Sequence, residues 1–368
     1  MSAFFSVPPR RILLVCTQRI GDVLLMTPLL RSLRRAWPAA RLEVLVLPGT
    51  EGVLAGNPDV DEVLVLPQRV GWRGKLTQLR RLWQRYDLAL SPLPTDRARL
   101  YCRIAGRRRV GLLQASGERS KRWLLDRWRP FDDIGTHTVS MGLRLTELLD
   151  IAACPEVVPP AAAWPPLRTG WVPLPADRPY AVLHPYPKFR YKMWTSAGWV
   201  ALAQSLCARG WTVVLTGGPE AAECEYAAAI AQAAGTGVLS LAGQLSLGET
   251  AKLIRRAVVY VGPDTAVTHI AAATGTPTVA LFGPSNPLKW GPWPQGRDDP
   301  ASPWAFQGSR RQGNVFLLQG EDARGCVPCR QEGCQRRIDS AADCLENISP
   351  ARVLAAVAAV LLPGDVDC

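Results

Sequence analysis

Three groups of residues have types and spacings suited to chemistry on a charged ligand. The first is Asp264-Thr265, which follows the apolar run VVYVGP and precedes THIAAATG. That order places the pair at a helix N-terminus. Exposed N–H groups and the positive end of the helix dipole make such a terminus an anion site. Taken alone, the pair is better explained as a helix cap. The second group is Ile20-Gly21-Asp22 in QRIGDVLLMTPLLRSLRRAWP, after RILLVC. Gly21 suits a tight turn or a close backbone approach to a ligand. Asp22 is either an N-cap or a carboxylate base, and a base needs a substrate hydroxyl within reach. The third group is Cys326, Cys329, Cys334 and Cys344, spaced C-x2-C-x4-C-x9-C. Four thiols can bind zinc tetrahedrally, but this is not a regular zinc-ribbon spacing. Reduced thiols in a compact loop are the other reading.

Elements must hold these residues in place. RILLVC, RLEVLVLP, DEVLVLP and YDLALSP read as strands, with a helix pattern from Val23 to Trp37. Further on, PYAVLHP, WTVVLTGG, VVYVGP and TVALFGP read as strands. SAGWVALAQSLCARG, ECEYAAAIAQAAG and THIAAATG read as the helices between them. Such alternation signals a parallel sheet covered by helices. Between the two series, CPEVVPPAAAWPPLRTGWVPLPADRP has eight prolines in 26 residues. Proline is excluded from helix interiors and central strands, so this stretch reads as a connector. The expected architecture is α/β, with two Rossmann-like domains whose parallel sheets face a central cleft. The expected divisions are residues 1–150, a linker at 151–179, a second domain at 180–348 and a C-terminal helix and tail at 349–368. Ligands of open parallel sheets bind outside the carboxyl ends of the strands.

Composition bounds the class. Hydrophobic residues make up 48% of 368, which excludes wholesale disorder. Ten cysteines are too sparse for a disulfide scaffold. The longest apolar runs fall short of the roughly 18 residues that suggest a spanning helix. No signal-peptide pattern opens the chain, so a cytoplasmic protein is expected. Lys and Arg number 43 against 31 Asp and Glu, a net charge of +12. Such a surface favours phosphorylated ligands, anionic lipid or nucleic acid. Arginine forks suit bidentate phosphate contact, while genome base composition explains the arginine excess equally well. Two stretches, QRVGWRGKLTQLRRLWQR and RRRVGLLQASGERSKRWLLDRWRP, are basic with interleaved tryptophans. Such runs are usually solvated helix faces.

RIGDVLLMTPLLRSLR and DTAVTHIAAATGTPTVALFGPSNP together resemble glycosyltransferase family nine, the bacterial lipopolysaccharide heptosyltransferases. Weaker anchors are VLHPYPKFRYKMWTSAGWVALA and VVLTGGPEAAE, and the resemblance runs from Arg11 to about Leu362. It implies a GT-B fold, with the acceptor on the N-terminal half and the nucleotide-sugar on the C-terminal half. It implies ADP-L-glycero-D-manno-heptose as donor, inversion at the anomeric carbon, and no metal or other cofactor. The family's catalytic aspartate falls on Asp22, as general base. Its D-T-G-x-x-H motif falls on Asp264, Thr265, Ala266 and His269, lining the donor diphosphate. Its donor-side lysine falls on Lys192, and Glu220 in the last anchor joins the donor side. Gly21, with Arg69, Arg73 and Lys75 in the first basic stretch, is expected on the acceptor side. Arg119, Lys121 and Arg122 are a second basic group for a phosphorylated glycolipid or an anionic leaflet. Nucleic acid competes for the same charge but is not the expected partner.

Three features depart from the family pattern. Ala266 stands where the motif has glycine. HPYPKFRYKMW lacks the small hydroxyl residues common there, and SPLPTDRARL replaces a D-x-Q-G-like segment. His184 is expected to hold its loop by hydrogen bonds, and His137 to open a helix. The resulting expectation is an inverting, metal-independent transferase that moves heptose from ADP-heptose to the lipopolysaccharide inner core. It would work in the cytoplasm, peripheral to the inner face of the inner membrane. Two alternatives remain: a transferase of the same family with another nucleotide-sugar or acceptor, and a non-catalytic nucleotide- or glycolipid-binding protein. Asp22 argues against the second. A dehydrogenase is disfavoured, because no G-x-G-x-x-G follows the first strand of either half.

Overall fold

Apolar runs with few polar residues form strands buried on both faces, and such strands pair in parallel under helices. The computed structural model describes residues 4–67, 71, 77, 79–114, 119–163, 174 and 178–362. Its contacts divide the chain into two units. Unit 1 is Met1–Val158 with Arg297–Ser302, and unit 2 is Pro159–Gly296 with Pro303–Cys368.

Unit 1 runs β1 (Arg11–Cys16), α1 (Ile20–Leu25), α2 (Thr27–Ala36), β2 (Arg41–Val46), β3 (Glu62–Val65) and β4 (Tyr86–Ser91). It continues with α3 (Asp96–Ala105), β5 (Gly106–Gln114), β6 (Arg127–Phe131) and α4 (Thr138–Leu149). The six strands lie in the order β3-β2-β1-β4-β5-β6, all parallel. Ile12, Leu14, Leu24, Leu30, Leu88 and Leu90 have no exposed surface and form its core.

Two expectations change here. The helix expected from Val23 to Trp37 is two helices that meet at Met26. Pro28 has no N–H to give to the carbonyl of Leu24, so the helix cannot run through. Thr27 Oγ1 donates to that carbonyl instead, at 2.8 Å. The second basic stretch is not one solvated helix face. It forms β5, a 3-10 turn at Arg119–Leu124 and β6, because VGLL is buried on both faces of the sheet while the arginines before it are exposed or half-buried. The first part of the proline-rich segment packs into unit 1. Cys154 N–H donates to Ser32 Oγ at 2.8 Å, and Val158 N–H to Thr27 Oγ1 at 2.9 Å.

Unit 2 repeats the plan. It runs β7 (Tyr180–Leu183), α5 (Ser196–Cys207), β8 (Thr212–Leu215), α6 (Ala221–Ala234), β9 (Val238–Ser240), α7 (Leu247–Arg255) and β10 (Val259–Pro263). Then come α8 (Ala266–Thr274), β11 (Thr278–Phe282), α9 (Pro287–Trp290), β12 (Arg310–Gln312), β13 (Val315–Gln319), α10 (Asp343–Glu346) and α11 (Pro350–Leu361). The order is β12-β13-β11-β10-β7-β8-β9, with only the short edge strand β12 antiparallel. Trp194 and Trp199 pack edge-to-face at 5.0 Å, and Trp194 Nε1 donates to the Ile348 carbonyl at 2.8 Å. The C-terminal helix α11 buries Val353, Ala356, Val357 and Val360 in this core. Among the described residues no helix is long and apolar enough to cross a membrane.

In each sheet the strand order reverses once, between β1 and β4 in unit 1 and between β7 and β10 in unit 2. At such a reversal the flanking crossovers leave to opposite sides and open a crevice at the carboxyl ends of the strands.

Candidate active site

Three neighbouring strands of unit 2 send side chains to one carboxylate. β10 ends at Pro263, and Asp264 follows it directly. From the loop after β7, Lys192 Nζ donates to Asp264 Oδ2 at 2.5 Å. From the loop after β11, Ser285 Oγ donates to the same oxygen at 2.7 Å. The pair therefore spans the β7/β10 reversal. Asp264 is 8% exposed, while the Lys192 side chain keeps 21% of its surface. Burial alone would raise the Asp264 carboxyl, but the Lys192 ammonium holds it below its ordinary value. The carboxylate is thus ionised at neutral pH, and its lysine still faces outward.

The N-terminus of α8 lies beside this pair. Thr265 is its N-cap, and Thr265 Oγ1 accepts from Thr268 N–H at 3.4 Å. Ala266 is the first helical residue, and Gly275, at φ 83°, closes the helix in the left-handed region. His269 sits one turn in, with Nε2 4.0 Å from Asp264 Oδ1. Burial pushes the His269 pKa down to about 4 against the pull of Asp264, so the ring is neutral at pH 7. Its Nδ1 is buried and, among the described residues, has no hydrogen-bond partner. His184 follows β7, and its Nδ1 lies 3.0 Å from Thr216 Oγ1. Burial also lowers its pKa, to about 4. It holds the loop, as its place in the sequence suggested.

The donor-side residues therefore divide. Lys192, Asp264, Thr265, Ala266 and His269 come together. Glu220 is exposed at the N-cap of α6 and makes no capping bond with its side chain. Glu223, three residues on, instead accepts from Gly218 N–H through Oε2 at 2.5 Å and closes the loop after β8. A glutamate three residues after an N-cap is where a capping box would put its carboxylate, but Glu223 bonds Gly218 N–H instead of the N-cap N–H. Ser285 had no sequence signal, since a serine after a strand is usually only a turn residue.

Unit 1 places Asp22 at its own reversal. Asp22 is the third residue of α1, half-buried, and its Oδ2 accepts from Arg19 N–H at 3.2 Å. It therefore steadies its own loop, as a cap would, at the mouth of the β1/β4 crevice. Of the two readings for Gly21, the tight turn does not apply. The residue is helical with ordinary φ, so no tight turn requires glycine there. A Cβ at Gly21 would meet nothing within 4 Å. His137 caps α4, its Nδ1 accepting from Val139 N–H at 3.1 Å. Arg69, Arg73 and Lys75 lie outside the described residues.

The four cysteines are free thiols; Cys326 and Cys334 are exposed and Cys344 is buried. Burial, then the other three thiols, push the Cys344 pKa up to about 12. Among the described residues no three His, Cys, Asp or Glu side chains are arranged to hold a metal ion.

The unit 2 arrangement can bind an anion, and the loop after β1 in unit 1 offers a carboxylate. An anion at α8 would meet unpaired N–H groups, about half a positive charge from the helix dipole, and an ammonium it must share with Asp264. Residues 77–298 match the family model described as glycosyltransferase family 9 (heptosyltransferase). Lipopolysaccharide heptosyltransferase 1 of Pseudomonas aeruginosa is 30% identical over 378 aligned positions, covering 96% of this chain and 98% of that protein. Lipopolysaccharide heptosyltransferase 3 of Escherichia coli is 28% identical, covering 74% of this chain and 83% of that protein. The solved structure of Escherichia coli ADP-heptose lps heptosyltransferase II superposes with a TM-score of 0.69 at 25% identity, covering 96% and 98% of the two chains.

Proposed function

The chain belongs to glycosyltransferase family 9 and is a glycosyltransferase of the GT-B fold, and from that premise we propose that it transfers heptose from ADP-heptose to a lipopolysaccharide core acceptor. The observation that carries this reading is the Lys192–Asp264 pair beside the α8 N-terminus, at the one point where the unit 2 strand order reverses. A diphosphate is the ligand that suits it, because the site offers a cationic side chain and backbone N–H groups together.

The proposed reaction is a single displacement. Asp22 accepts the proton of the acceptor hydroxyl as its oxygen attacks the anomeric carbon from the face opposite the diphosphate. The new C–O bond forms as the bond to the diphosphate breaks, so the anomeric configuration inverts. Charge grows on the departing ADP, and the Lys192 ammonium and the α8 terminus stabilise it most at that moment. Those two sources of positive charge are why we read transfer as metal-independent. Neutral His269 adds a hydrogen-bonding ring rather than a charge. Asp264 keeps Lys192 aimed at the site, and Ser285 steadies Asp264. On this reading the donor half is unit 2 and the acceptor half is unit 1. The enzyme would act at the cytoplasmic face of the inner membrane, where a glycolipid core would be built.

The reading is tested with a set of nucleotide-sugars and a Kdo–lipid A acceptor. ADP-heptose should turn over fastest, and NMR of the product should show the anomer opposite to that of the donor. A faster reaction with another nucleotide-sugar would reassign the donor. Retention of the donor's configuration would remove the single displacement.

A further inference from the structure

Three hydroxyl groups meet behind the start of α8. Tyr260 lies in β10 and Thr268 in the first turn of α8, and neither has any exposed surface. Thr265, the N-cap between them, is half-buried. Tyr260 and Gly262 share one face of the strand. The Tyr260 side chain runs past Gly262 towards the helix, and a Cβ at Gly262 would come within 2.2 Å of its hydroxyl. That hydroxyl lies 3.0 Å from Thr268 Oγ1, which lies 3.3 Å from Thr265 Oγ1. Thr268 Oγ1 also donates to the Pro263 carbonyl at 2.5 Å.

A buried tyrosine usually finds a hydrogen-bond partner, and satisfying the phenol is the ordinary account of such a cluster. Counting hydrogens takes it further. A hydroxyl has one hydrogen and two lone pairs, and a carbonyl oxygen can only accept. Thr268 therefore spends its hydrogen on the Pro263 carbonyl. Tyr260 must then be the donor to Thr268 Oγ1. Burial raises the pKa of its phenol, so that hydrogen is in place at neutral pH. Thr268 Oγ1 keeps one more lone pair, which faces the Thr265 hydroxyl at a long 3.3 Å. Thr265 Oγ1 already accepts from Thr268 N–H. Its own hydrogen can turn inward to Thr268 or outward to a ligand at the helix terminus. While Tyr260 supplies Thr268, the inward pull is weak. Without the Tyr260 hydroxyl, Thr268 Oγ1 becomes a buried acceptor short of a donor, which draws the Thr265 hydrogen inward. We propose that Tyr260 is a positioning residue of the donor site: by donating to Thr268 it leaves the Thr265 hydroxyl free to donate to a diphosphate at the α8 terminus. This rests on the diphosphate reading given above and deepens it by a residue that touches no ligand.

A double-mutant cycle on the full chain, read by calorimetry with ADP, tests this. Tyr260→Phe keeps the ring and should weaken ADP binding by about three- to tenfold, the size of one hydrogen bond. Thr265→Val should weaken it by a similar factor. Adding Tyr260→Phe to Thr265→Val should then change ADP affinity by less than about twofold, because the hydrogen under control is gone. In Thr265→Ser, which keeps the hydroxyl, Tyr260→Phe should again weaken ADP by about three- to tenfold. A tyrosine that serves the fold alone would lower the unfolding midpoint and leave ADP affinity unchanged, or weaken ADP equally in all three backgrounds. Either result would overturn the proposal. So would tighter ADP binding by Tyr260→Phe, since Tyr260 itself would then be what holds the Thr265 hydroxyl inward. A parent protein that bound no ADP would take down the diphosphate reading and this proposal with it. Parental ADP binding that all the substitutions leave unchanged would remove the roles of Tyr260 and Thr265 and leave Lys192 to be judged on its own.

Discussion

Lys192 and Asp264 are 72 residues apart in the chain and 2.5 Å apart in the fold. The sequence shows each in a loop after a strand, but no local pattern tells that β7 and β10 are neighbours. Their contact follows from strand order alone. It also changes what Lys192 does. Lys192→Ala removes an ammonium from the diphosphate and leaves Asp264 as an unpaired buried carboxylate, so it acts on binding and on stability together. ADP affinity should fall by about 1.5–3 kcal/mol, AMP affinity by less, and the protein should unfold more easily. Adding Asp264→Asn should restore much of the stability and none of the ADP affinity. Calorimetry with both nucleotides and urea unfolding measure these. Parental ADP affinity in Lys192→Ala would remove the lysine from the site.

His184 and His269 give a pH prediction. Both have folded pKa values near 4, lowered by burial from about 6.5. A group whose folded pKa is depressed stabilises the fold fully above its unfolded pKa. That stability is lost as pH falls from about 6.5 to about 4, where the unfolded chain binds protons the folded one refuses. The loss should be on the order of 2–3 kcal/mol per histidine. Asp264, with its own pKa below the carboxylate range, contributes only at still lower pH. Urea midpoints that stay level between pH 6.5 and 4.5 would contradict this.

At the scale of elements, the helices and strands flanking both sites were legible because their apolar periods are clear. β1, β7, β8, β10 and β11 carry nearly unbroken apolar runs, and α5 and α8 carry caps at Thr195 and Thr265. Three kinds of element were not. β5 and β6 hide behind arginines that a charge count assigns to a solvated face. β9 has three residues and β12 three, too few for a period. The α1–α2 break depends on one proline inside an otherwise continuous helix pattern. Packing adds a constraint that no period reveals. Gly198, in the first turn of α5, lies where a Cβ would come within 2.5 Å of the Trp194 indole. That indole is fixed by its bond to the Ile348 carbonyl. Gly198→Ala should therefore destabilise unit 2 by about 1–3 kcal/mol, despite the better helix propensity of alanine. Thermal unfolding checks it, and an unchanged or raised midpoint would show that the indole moves aside.

At the scale of the whole molecule, one plan is used twice. Each unit winds its strands in the same order, with one reversal, and each puts a carboxylate after a strand that flanks it: Asp22 after β1 and Asp264 after β10. The two carboxylates are not equivalent. Asp264 is neutralised by Lys192 and buried, and in the proposed mechanism it positions that lysine. Asp22 is half-buried and its Oδ2 accepts from Arg19 N–H, and in the proposed mechanism it takes the proton. The alternation of strand and helix made the two-unit plan readable from sequence. The return of residues 297–302 to unit 1, where Ser140 Oγ donates to the Pro300 carbonyl at 2.5 Å, was not readable, because a short polar loop segment has no period to show its partner.

In the proposed mechanism this asymmetry divides labour between base and leaving-group site, and Asp22→Asn tests that division most directly. The substitution keeps shape and a hydrogen-bonding oxygen for Arg19 N–H but cannot accept the acceptor's proton. ADP release from ADP-heptose in the presence of acceptor should fall by about 10²–10⁴-fold, with ADP affinity unchanged. Turnover by Asp22→Asn near that of the parent protein would contradict the account.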